Sequence, residues 1–478
     1  MTTMTLTSIS DQIQTPVEST QLTLVDQLVQ WGRRRIDERV FRPGMRMPSI
    51  RKLAEDKGVS RFTVVEAYER LVAHGYLDSR RGSGFYVRER GAEPTRLKSV
   101  QPVDSPVDVV WLLRNMLHTS SPEKGPGLGY LPNRWLDGDI LSNALRALGR
   151  QSGSQLLMFG SPQGFFPLRQ QLQTRLAELE IGATPEQILL VSGITQGLDL
   201  IARLYVQPGD TVLVGEPGWF QMFGRFASQG ARVVGIPYSP TGLDLDMLEA
   251  QIKTWRPKML ILDSVLQNPT CTSLSARQAY RILQLAETYD FMVVEDDIYG
   301  DLAPPGYPAT RMASLDQLKR VIYLGSFSKT LAANLRVGFV AAAPEVIQAL
   351  TDQKMLTGMT SPEINERLVF KVLTEGHYRR HVERLRSRLD LVRDKTARMI
   401  ERAGFKLFNN PTAGMFLWAD SGVDTAAMAA TAMEAGYFLA PGALFSPHQS
   451  VSTWMRFNIA NCGDPGLPAF LERQLARG

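Results

Sequence analysis

A lysine that follows an apolar segment is the first candidate for chemistry in this chain. Lys329 ends a tetrapeptide that begins at Ser326, directly after the apolar run Val321–Leu324 and Gly325. The pattern predicts a buried strand that opens into a turn. An ammonium group is costly to bury without a charged or covalent partner, so an amine in this setting suits Schiff-base chemistry with an aldehyde. For this tetrapeptide taken alone, a surface lysine after a strand is the alternative.

The groups on either side of Lys329 indicate a phosphate. Arg336 lies seven positions after the lysine and Ser326 three before it. A guanidinium binds phosphate oxygens bidentately, and a hydroxyl can donate to them. Pyridoxal phosphate is the ligand that needs both an amine and a phosphate-binding site. We therefore predict that Lys329 carries pyridoxal phosphate.

Length and composition set the broad class. The 478 residues suffice for two or three domains, and 44% hydrophobic with 21% charged residues is typical of a globular protein. Cys271 and Cys462 stand far apart, which argues against a disulfide framework or a zinc site and fits a reducing compartment. No apolar run approaches the roughly 18 residues of a membrane span. Residues 1–20 make a poor signal peptide, so we expect a disordered tail there and a cytoplasmic protein.

Positive charge is concentrated at the beginning of the chain. Residues 1–98 hold 17 Lys and Arg against 12 Asp and Glu, whereas the remainder holds 36 of each. This asymmetry indicates a small basic module that meets a polyanion and is attached to a neutral body.

The basic module has the pattern of a helix-turn-helix with a hairpin after it. Apolar spacing predicts a helix over residues 22–39, a second one that Ser49 caps and that ends at Lys57, and a third over residues 61–74. Gly58 would terminate the second helix. The hairpin would have a basic, glycine-containing tip at residues 80–84.

The first turn of the third helix is where such a module reads base edges. Arg61, Phe62 and Thr63 occupy that turn, and Arg51 could reach a phosphate. The alternative is that these charges are solvated faces of a small helical bundle.

Residues 22–88 resemble the GntR-type winged helix. The resemblance implies double-stranded DNA as a partner, with Arg51, Arg61, Thr63 and Gly82 as the contacts. Phe62 replaces the small hydroxyl residue usual in that family, so base preference can differ. The matching words are Gly44-Met45-Arg46-Met47-Pro48-Ser49-Ile50-Arg51, Gly58-Val59-Ser60-Arg61-Phe62-Thr63-Val64, Ala67-Tyr68-Glu69-Arg70-Leu71 and Gly75-Tyr76-Leu77 through Gly82-Ser83-Gly84.

The composition of residues 89–106 predicts an exposed linker, because they carry charges and prolines without periodicity.

From residue 107 onward apolar runs alternate with helical stretches, which predicts an α/β domain with a mainly parallel, doubly wound sheet. Sites in such sheets gather at the carboxyl ends of strands. The predicted strands are Ile188–Val191, Thr211–Val214, Met259–Leu262, Phe291–Val294 and Val321–Leu324.

Polar residues follow these strands. The turn before Ile194 and Thr195 would place helix amides around a phosphate. Trp219 follows the second strand and Asn268 the third, where core packing and a simple turn are the alternatives. The acids at 295–297 follow the fourth, and three acids at a buried strand end need a cationic partner. A carboxylate there could keep a pyridine nitrogen protonated.

Residues 107–478 resemble the fold-type I pyridoxal phosphate aminotransferases, which implies a large domain with a smaller α+β subdomain. Further matching words are Gly160-Ser161-Pro162-Gln163-Gly164 with Pro167-Leu168-Arg169, Gly376-His377-Tyr378 with His381, Pro411 with Gly414, and Met455-Arg456-Phe457-Asn458. The resemblance implies that Lys329 holds the cofactor covalently, that Arg456 binds a substrate or effector carboxylate, and that the remaining cofactor contacts are Asp296, Tyr299, Asn268, Trp219, Ser326, Arg336, Ile194 and Thr195. No metal ligand is implied.

Three positions depart from that family. Ile194 stands where a hydroxyl residue is usual and offers only its backbone amide. Phe159 stands where the partner subunit commonly lends a tyrosine to the phosphate. Ala333-Asn334 replaces a common Pro-Gly. We expect the cofactor to bind less tightly, since each lost hydrogen bond costs about 0.5–1.5 kcal/mol.

A winged helix ahead of an aminotransferase-like body is the arrangement of the MocR subfamily of GntR regulators, which this chain resembles. The resemblance implies a homodimeric DNA-binding transcription regulator whose effector is an amino compound or the cofactor itself. The alternative is an amino acid aminotransferase with an accessory DNA-binding module. A DNA-binding scaffold with an inactive body is disfavoured because Lys329, Asp296, Arg336 and Arg456 are all present.

Overall fold

A computed structural model of the chain describes residues 23–38, 40–80, 82–88, 124–150 and 157–476. The chain divides into two units, residues 1–103 and 104–478. The predicted tail at 1–20 and linker at 89–106 lie outside the described residues, so both stay predictions.

The N-terminal unit contains three helices, Leu24–Asp37, Ile50–Lys57 and Arg61–Ala73, and a hairpin of strands β1 (Leu77–Arg80) and β2 (Gly84–Val87). The helices begin and end within two residues of their predicted bounds. Their order and the hairpin are those of a winged helix-turn-helix.

Capping residues set the turn between the second and third helices. The Ser49 hydroxyl accepts a hydrogen bond from the Lys52 N–H at 3.2 Å, and Gly58 ends that helix with a φ of +64°. The Ser60 hydroxyl accepts from the Thr63 N–H at 3.0 Å and opens the third helix. These caps satisfy N–H groups that a helix end leaves unpaired. The small core includes Leu28, Leu53, Val64, Tyr68, Leu71, Leu77 and Val87.

An eight-stranded sheet organises the second unit. Its order is β3-β10-β9-β8-β7-β4-β5-β6. The five neighbouring strands from β9 to β5 are parallel, whereas β10 runs antiparallel to both β3 and β9, and β6 antiparallel to β5. The strands are β3 (Ile188–Val191), β4 (Thr211–Glu216), β5 (Arg232–Ser239), β6 (Gly242–Leu243), β7 (Met259–Asp263), β8 (Met292–Asp296), β9 (Val321–Ser326) and β10 (Gly338–Ala341).

Helices cover both faces of this sheet, and each face has its own apolar core. Val212 and Val214 belong to one cluster, whereas Leu213 between them belongs to the other. Strands that are buried on both faces read as continuous apolar runs, which is why they could be located from the sequence. The helices of this unit are Gly138–Gly149, Phe166–Glu178, Ile194–Tyr205, Phe220–Ser228, Leu245–Trp255, Ala276–Tyr289, Met312–Asp316, Pro344–Gly358, Glu363–Thr374, His377–Arg402, Thr425–Glu434 and Leu467–Leu475.

A second, antiparallel sheet lies near the end of the chain. Its order is β11-β12-β14-β13, from Lys406–Leu407, Phe416–Asp420, Trp454–Asn458 and Ala440–Pro441. With the last two helices it forms the predicted smaller α+β part. Within the described ranges, no helix has the length and apolar character that a membrane crossing requires.

Candidate active site

A cavity opens at the carboxyl ends of the parallel strands, where sites in such sheets form. Six of the nine predicted cofactor-binding residues line it. Thr195, Ser326 and Arg336 do not line it but lie at the same sheet edge, as described below. The lining residues are Ile194, Trp219, Asp263, Asn268, Asp296, Ile298, Tyr299 and Lys329.

Lys329 projects an amine into this cavity. Its Nζ donates to the Gly129 carbonyl oxygen at 2.6 Å and lies 5.8 Å from the centre of the Tyr299 ring. Burial lowers the pKa of Lys329 to about 8, and the positive charge of Arg456 acts in the same direction. A sizeable neutral fraction near pH 8 makes this amine a nucleophile.

Two buried carboxyl groups stand beside the lysine. Asp296 ends β8, and its Oδ1 accepts from the Ile298 N–H at 3.0 Å. Asp263 ends β7, and its Oδ2 accepts from the Asn268 N–H at 2.9 Å. Burial raises the pKa of Asp296 well above its usual value, and the neighbouring Asp263 raises it further. Asp263 was not among the predicted site residues.

The two other acids of the 295–297 run have structural partners. Asp297 accepts from Arg311 at 2.6 Å, as a largely buried ion pair. Glu295 accepts instead from the backbone N–H groups of Met312 and Ala313, at 2.7 and 2.8 Å. Arg311 is thus the cationic partner expected for this group of acids, and two amide donors satisfy Glu295.

Arg456 is buried at the boundary between the two sheets of this unit. Its Nη1 donates to Asn268 Oδ1 at 3.0 Å and its Nη2 to the Gly127 carbonyl at 2.7 Å. Its guanidinium lies 4.5 Å from the centre of the Phe416 ring. Burial lowers the pKa of Arg456 to about 10, and its Nε has no hydrogen-bond partner among the described residues.

Gly129 separates this guanidinium from the lysine amine. A Cβ at Gly129 would lie 3.7 Å from Arg456 Nη2 and 3.8 Å from Lys329 Nζ. Two cationic groups therefore converge on one backbone position.

The predicted phosphate ligands meet at the next part of the sheet edge. Arg336 Nη2 donates to the Ser192 carbonyl at 3.0 Å, and a Cβ at Gly193 would lie only 2.4 Å from that nitrogen. Gly193 also has a φ of +75°, so a side chain is excluded by space and by conformation. The helix Ile194–Tyr205 starts here and directs its unpaired N–H groups to the same place.

Strand register brings Ser326 to this helix terminus. Gly338 pairs with both Ser326 and Val191 across β9, β10 and β3. A Cβ at Gly338 would lie 3.1 Å from the Ile194 amide nitrogen. The Ser326 hydroxyl accepts from the Ser328 N–H at 3.1 Å. The arginine, the hydroxyl and the helix amides thus form one anion-binding corner.

A polar network that was not predicted lies behind Lys329. The Tyr378 hydroxyl contacts Thr330 Oγ1 and donates to Asp301, and His381 Nε2 lies 2.7 Å from the Thr330 carbonyl. The contacts of Tyr378 and His381 with Thr330 fall on the residue after the lysine. The one-turn spacing of 378 and 381 on a helix is the signal that could have identified this network.

The predicted DNA contacts lie in the helix-turn-helix and the hairpin of the first unit. Arg61 is exposed at the start of the third helix. The Thr63 hydroxyl pairs with that of Ser60 at 2.7 Å, and Arg51 Nε donates to Glu55 at 3.0 Å on the surface. Gly82 is at the hairpin tip with a φ of +74° and no atom near its Cβ position.

Two protein families match these two units. Residues 24–87 match the bacterial regulatory proteins of the gntR family, and residues 133–473 match aminotransferase class I and II.

Curated relatives fall into regulators and enzymes. A 2-aminoadipate transaminase of Thermus thermophilus is 33% identical over 68% of this chain and 82% of its own length. An uncharacterized HTH-type transcriptional regulator of Bacillus subtilis, YdfD, is 29% identical over 82% of this chain and 83% of its own. The probable rhizopine catabolism regulatory protein MocR of Rhizobium meliloti is 29% identical over 71% and 70%.

Solved aminotransferases share the fold of the second unit. Kynurenine aminotransferase of Pyrococcus horikoshii, in complex with PMP, is 27% identical with a TM-score of 0.71, over 78% of this chain and 94% of that one. The α-aminoadipate aminotransferase LysN of Thermus thermophilus, complexed with N-(5'-phosphopyridoxyl)-L-leucine, is 27% identical with a TM-score of 0.70, over 77% and 94%.

The residues of the cavity fit pyridoxal phosphate, the cofactor of this fold. They supply a nucleophilic amine at Lys329 and a buried carboxyl at Asp296, and beside them at the same sheet edge lies the anion-binding corner at Arg336, into which a Cβ at Gly193 would intrude. These groups can pair with the aldehyde, the ring nitrogen and the phosphate of the cofactor, respectively. The chain therefore belongs to the aminotransferase class I and II family, with a gntR-family helix-turn-helix ahead of that domain, as in regulators of the MocR subfamily.

Proposed function

We propose that this protein is a transcription regulator that binds double-stranded DNA through its first unit and senses an amino compound, or the cofactor itself, through pyridoxal phosphate in its second. The observation that supports this function is the presence in one chain of a winged helix-turn-helix and of a site with amine, carboxyl and anion-binding corner together. An enzyme needs only the second of these.

Five cavity residues have a role in this proposal. Lys329 would hold the cofactor covalently, and Asp296 would face its ring nitrogen. Asn268 and Tyr299 would donate to its phenolic oxygen, because Arg456 already occupies the Asn268 carbonyl oxygen and leaves its amide NH₂ to act. Trp219 would cover the ring and exclude water.

The phosphate would lie in the corner already described. Arg336 and Ser326 would donate to it from the sheet, and the amides of Ile194 and Thr195 from the helix terminus. Because Ile194 has an apolar side chain, its contribution is limited to the backbone N–H.

The effector would be an amine that also carries a carboxylate. When bound, the cofactor supplies an aldehyde carbon that accepts an amine from Lys329 or from the effector. Arg456 would bind the carboxylate through Nε, which has no partner among the described residues, and through its remaining Nη hydrogens. The Lys329 amine would hold or release a proton at Nζ near neutral pH, because its pKa is about 8.

The second unit would also form a homodimer. Leu157, Met158 and Phe159 are 84%, 77% and 78% exposed, and Leu356 is 84% exposed. Three consecutive exposed apolar side chains are unusual on a monomer and typical of an interface. Sedimentation equilibrium with a Met158→Asp variant would test this, since a dimer should dissociate and a monomer should not change mass.

Absorbance and DNA binding together test the function. The full-length protein is loaded with pyridoxal phosphate, titrated with a panel of amino acids and amines, and assayed for binding to duplexes that it selects from a random library. We expect one amine to shift both the visible band and the affinity for DNA. A Lys329→Ala variant should bind the same duplexes and respond to no amine. A Lys329→Ala variant that responds normally would contradict the proposal.

Transamination is the second candidate function, because the cavity supplies the amine and the buried carboxyl that it requires, and enzymes are among the relatives. Steady-state turnover of an amino acid with a 2-oxo acid distinguishes the two. Fast turnover together with no selected duplex favours the enzyme, whereas slow or absent turnover with an amine-dependent change in DNA affinity favours the regulator.

A further inference from the structure

An exposed aromatic side chain stands at the start of the third helix. Phe62 is 76% exposed, more than any other large apolar side chain described in residues 23–88. It occupies the second position of the helix Arg61–Ala73, whose first residue follows the Ser60 cap.

The helix directs this ring away from the core of the unit. The buried residues of the helix are Val64, Ala67, Tyr68 and Leu71. At about 100° per residue, Phe62 lies roughly 200° from Val64 and therefore on the opposite face. Val65, one turn further on, is partly exposed on the same face, and Arg61 is exposed at the adjoining first position of the helix. The ring is thus a surface feature of the helix that enters a groove in this kind of module.

An arginine directly precedes the ring in the chain. The side chain of Arg61 has no hydrogen bond or ion pair within the described part of this unit. Of the two acids on the same helix face, Glu66 is paired with Arg70 at 2.7 Å, and Glu69 is exposed about two turns away from the ring. A polyanion is therefore the partner whose charge fits this surface, rather than an apolar or acidic protein face.

From these observations we infer that Phe62 reads the 5-methyl group of thymine in the major groove of the DNA site. The inference rests on the proposed DNA-binding function and specifies which chemical group that site recognises. A phenyl ring can neither donate to nor accept from base edges, and the thymine methyl is the apolar group that the major groove presents. Arg61 and Thr63 on either side can hydrogen-bond to bases or phosphates and so hold the ring in register.

Uracil substitution isolates the methyl group. Duplexes are first selected from a random library by the full-length protein, and each thymine of the selected site is then replaced singly by uracil, which keeps the pairing and O4. Affinities are measured by fluorescence anisotropy at one fixed salt concentration, because phosphate contacts make them salt-dependent. Loss of one methyl contact should weaken wild-type binding by about fourfold, at one or two thymines only.

Three variants distinguish a contact between Phe62 and the thymine methyl from a non-specific effect of removing an exposed apolar side chain. Phe62→Ala should bind the thymine duplex about tenfold more weakly than the wild type does. Its affinity should not fall further when uracil replaces thymine. Phe62→Leu keeps an apolar group and should retain sensitivity to uracil. Leu24→Ala removes another exposed apolar side chain, 57% exposed on the first helix, and should behave as the wild type.

Either of two results with the Phe62→Ala variant would overturn the inference. One is a Phe62→Ala variant with wild-type affinity, and the other is a Phe62→Ala variant that is as sensitive to uracil as the wild type. If no duplex is selected at all, the proposed DNA-binding function fails, and this inference fails with it. Selection of duplexes in which no thymine is sensitive to uracil refutes the inference alone.

Discussion

Asp263 and Asp296 lie directly opposite each other, as register partners at the ends of the parallel strands β7 and β8. Both are buried and both line the cavity. Neighbouring strands are only about 4.8 Å apart, so two carboxylates here repel each other in a medium of low dielectric constant. Burial raises the pKa of Asp263 to about 7, with the charge of Asp297 acting in the same direction.

Asp263→Asn should change the pH dependence of stability in the cofactor-free protein. The folded pKa of Asp263 is raised from 3.8 to about 7, so its stabilising contribution is fully present below pH 3.8 and is lost as the pH rises through about 7. Asparagine keeps an oxygen for the Asn268 N–H and removes the titration. Between pH 5 and 8 the wild type should therefore lose on the order of 2 kcal/mol more of its unfolding free energy than the variant. Urea unfolding at a series of pH values measures this, and parallel curves for the two proteins would contradict it.

The sequence predicted the strands well and the carboxyl pair poorly, for related physical reasons. A strand buried on both faces is a run of apolar residues, so β3, β4, β7, β8 and β9 were recognisable. Asp263 was overlooked because it is a single acid between Leu262 and Ser264, where it reads as a strand end. Strand β10 was missed because it has only four residues and begins at a glycine.

The alternating direction of side chains along β8 explains why the acids at 295–297 have different surroundings. Successive side chains of a strand point to opposite faces, so Glu295 and Asp297 share one face and Asp296 takes the other. The sequence could not say which face carries the cavity, because that depends on how β7 and β9 pair with β8. The roles assigned to individual site residues remain predictions that the following experiments address.

The reaction of Lys329 with pyridoxal phosphate should level off near pH 8. Because its pKa is about 8, the neutral amine fraction rises from about 1% at pH 6 to about 50% at pH 8 and at most doubles above that. The initial rate at which the visible band appears on mixing should therefore rise about 50-fold from pH 6 to 8 and little beyond. Stopped-flow absorbance measures this rate, with N-acetyl-lysine as the reference for the cofactor's own ionisation. A rate that climbs tenfold per pH unit up to pH 10 would mean an unperturbed lysine.

Arg456→Gln should shift that profile to higher pH. The Arg456 charge is the second cause, after burial, of the lowered pKa of Lys329. Removing it should move the midpoint upward by up to about one unit, and should also abolish the response to amines that carry a carboxylate. Arg169→Gln is the matched control, because Arg169 is 7% exposed and does not act on Lys329. Equal midpoints in the two variants would exclude electrostatic coupling between Arg456 and the lysine.

Tyr378→Phe should loosen the segment that carries Lys329. The Tyr378 hydroxyl joins Thr330, the next residue after the lysine, to Asp301, and Asp301 is held by Arg175 at 2.9 Å. Phenylalanine keeps the buried ring and removes the hydroxyl, so its partners lose a hydrogen bond without a cavity being created. We expect the unfolding free energy to fall by about 1–3 kcal/mol and the affinity for pyridoxal phosphate to fall with it.

The control for Tyr378→Phe is Tyr280→Phe, where the side chain is 60% exposed and accepts only from Gln284, at 3.2 Å. Removing that hydroxyl should leave the unfolding free energy and the cofactor affinity equal to those of the wild type within experimental error, since water replaces the partner. Urea unfolding of the cofactor-free proteins and absorbance titration with the cofactor give the two numbers. If Tyr378→Phe matched the Tyr280 control in cofactor affinity while losing stability, the network would support the fold and not the position of the lysine. A loss in both would assign Tyr378 to positioning Lys329, because the Thr330 contact is the route by which its hydroxyl reaches the cavity.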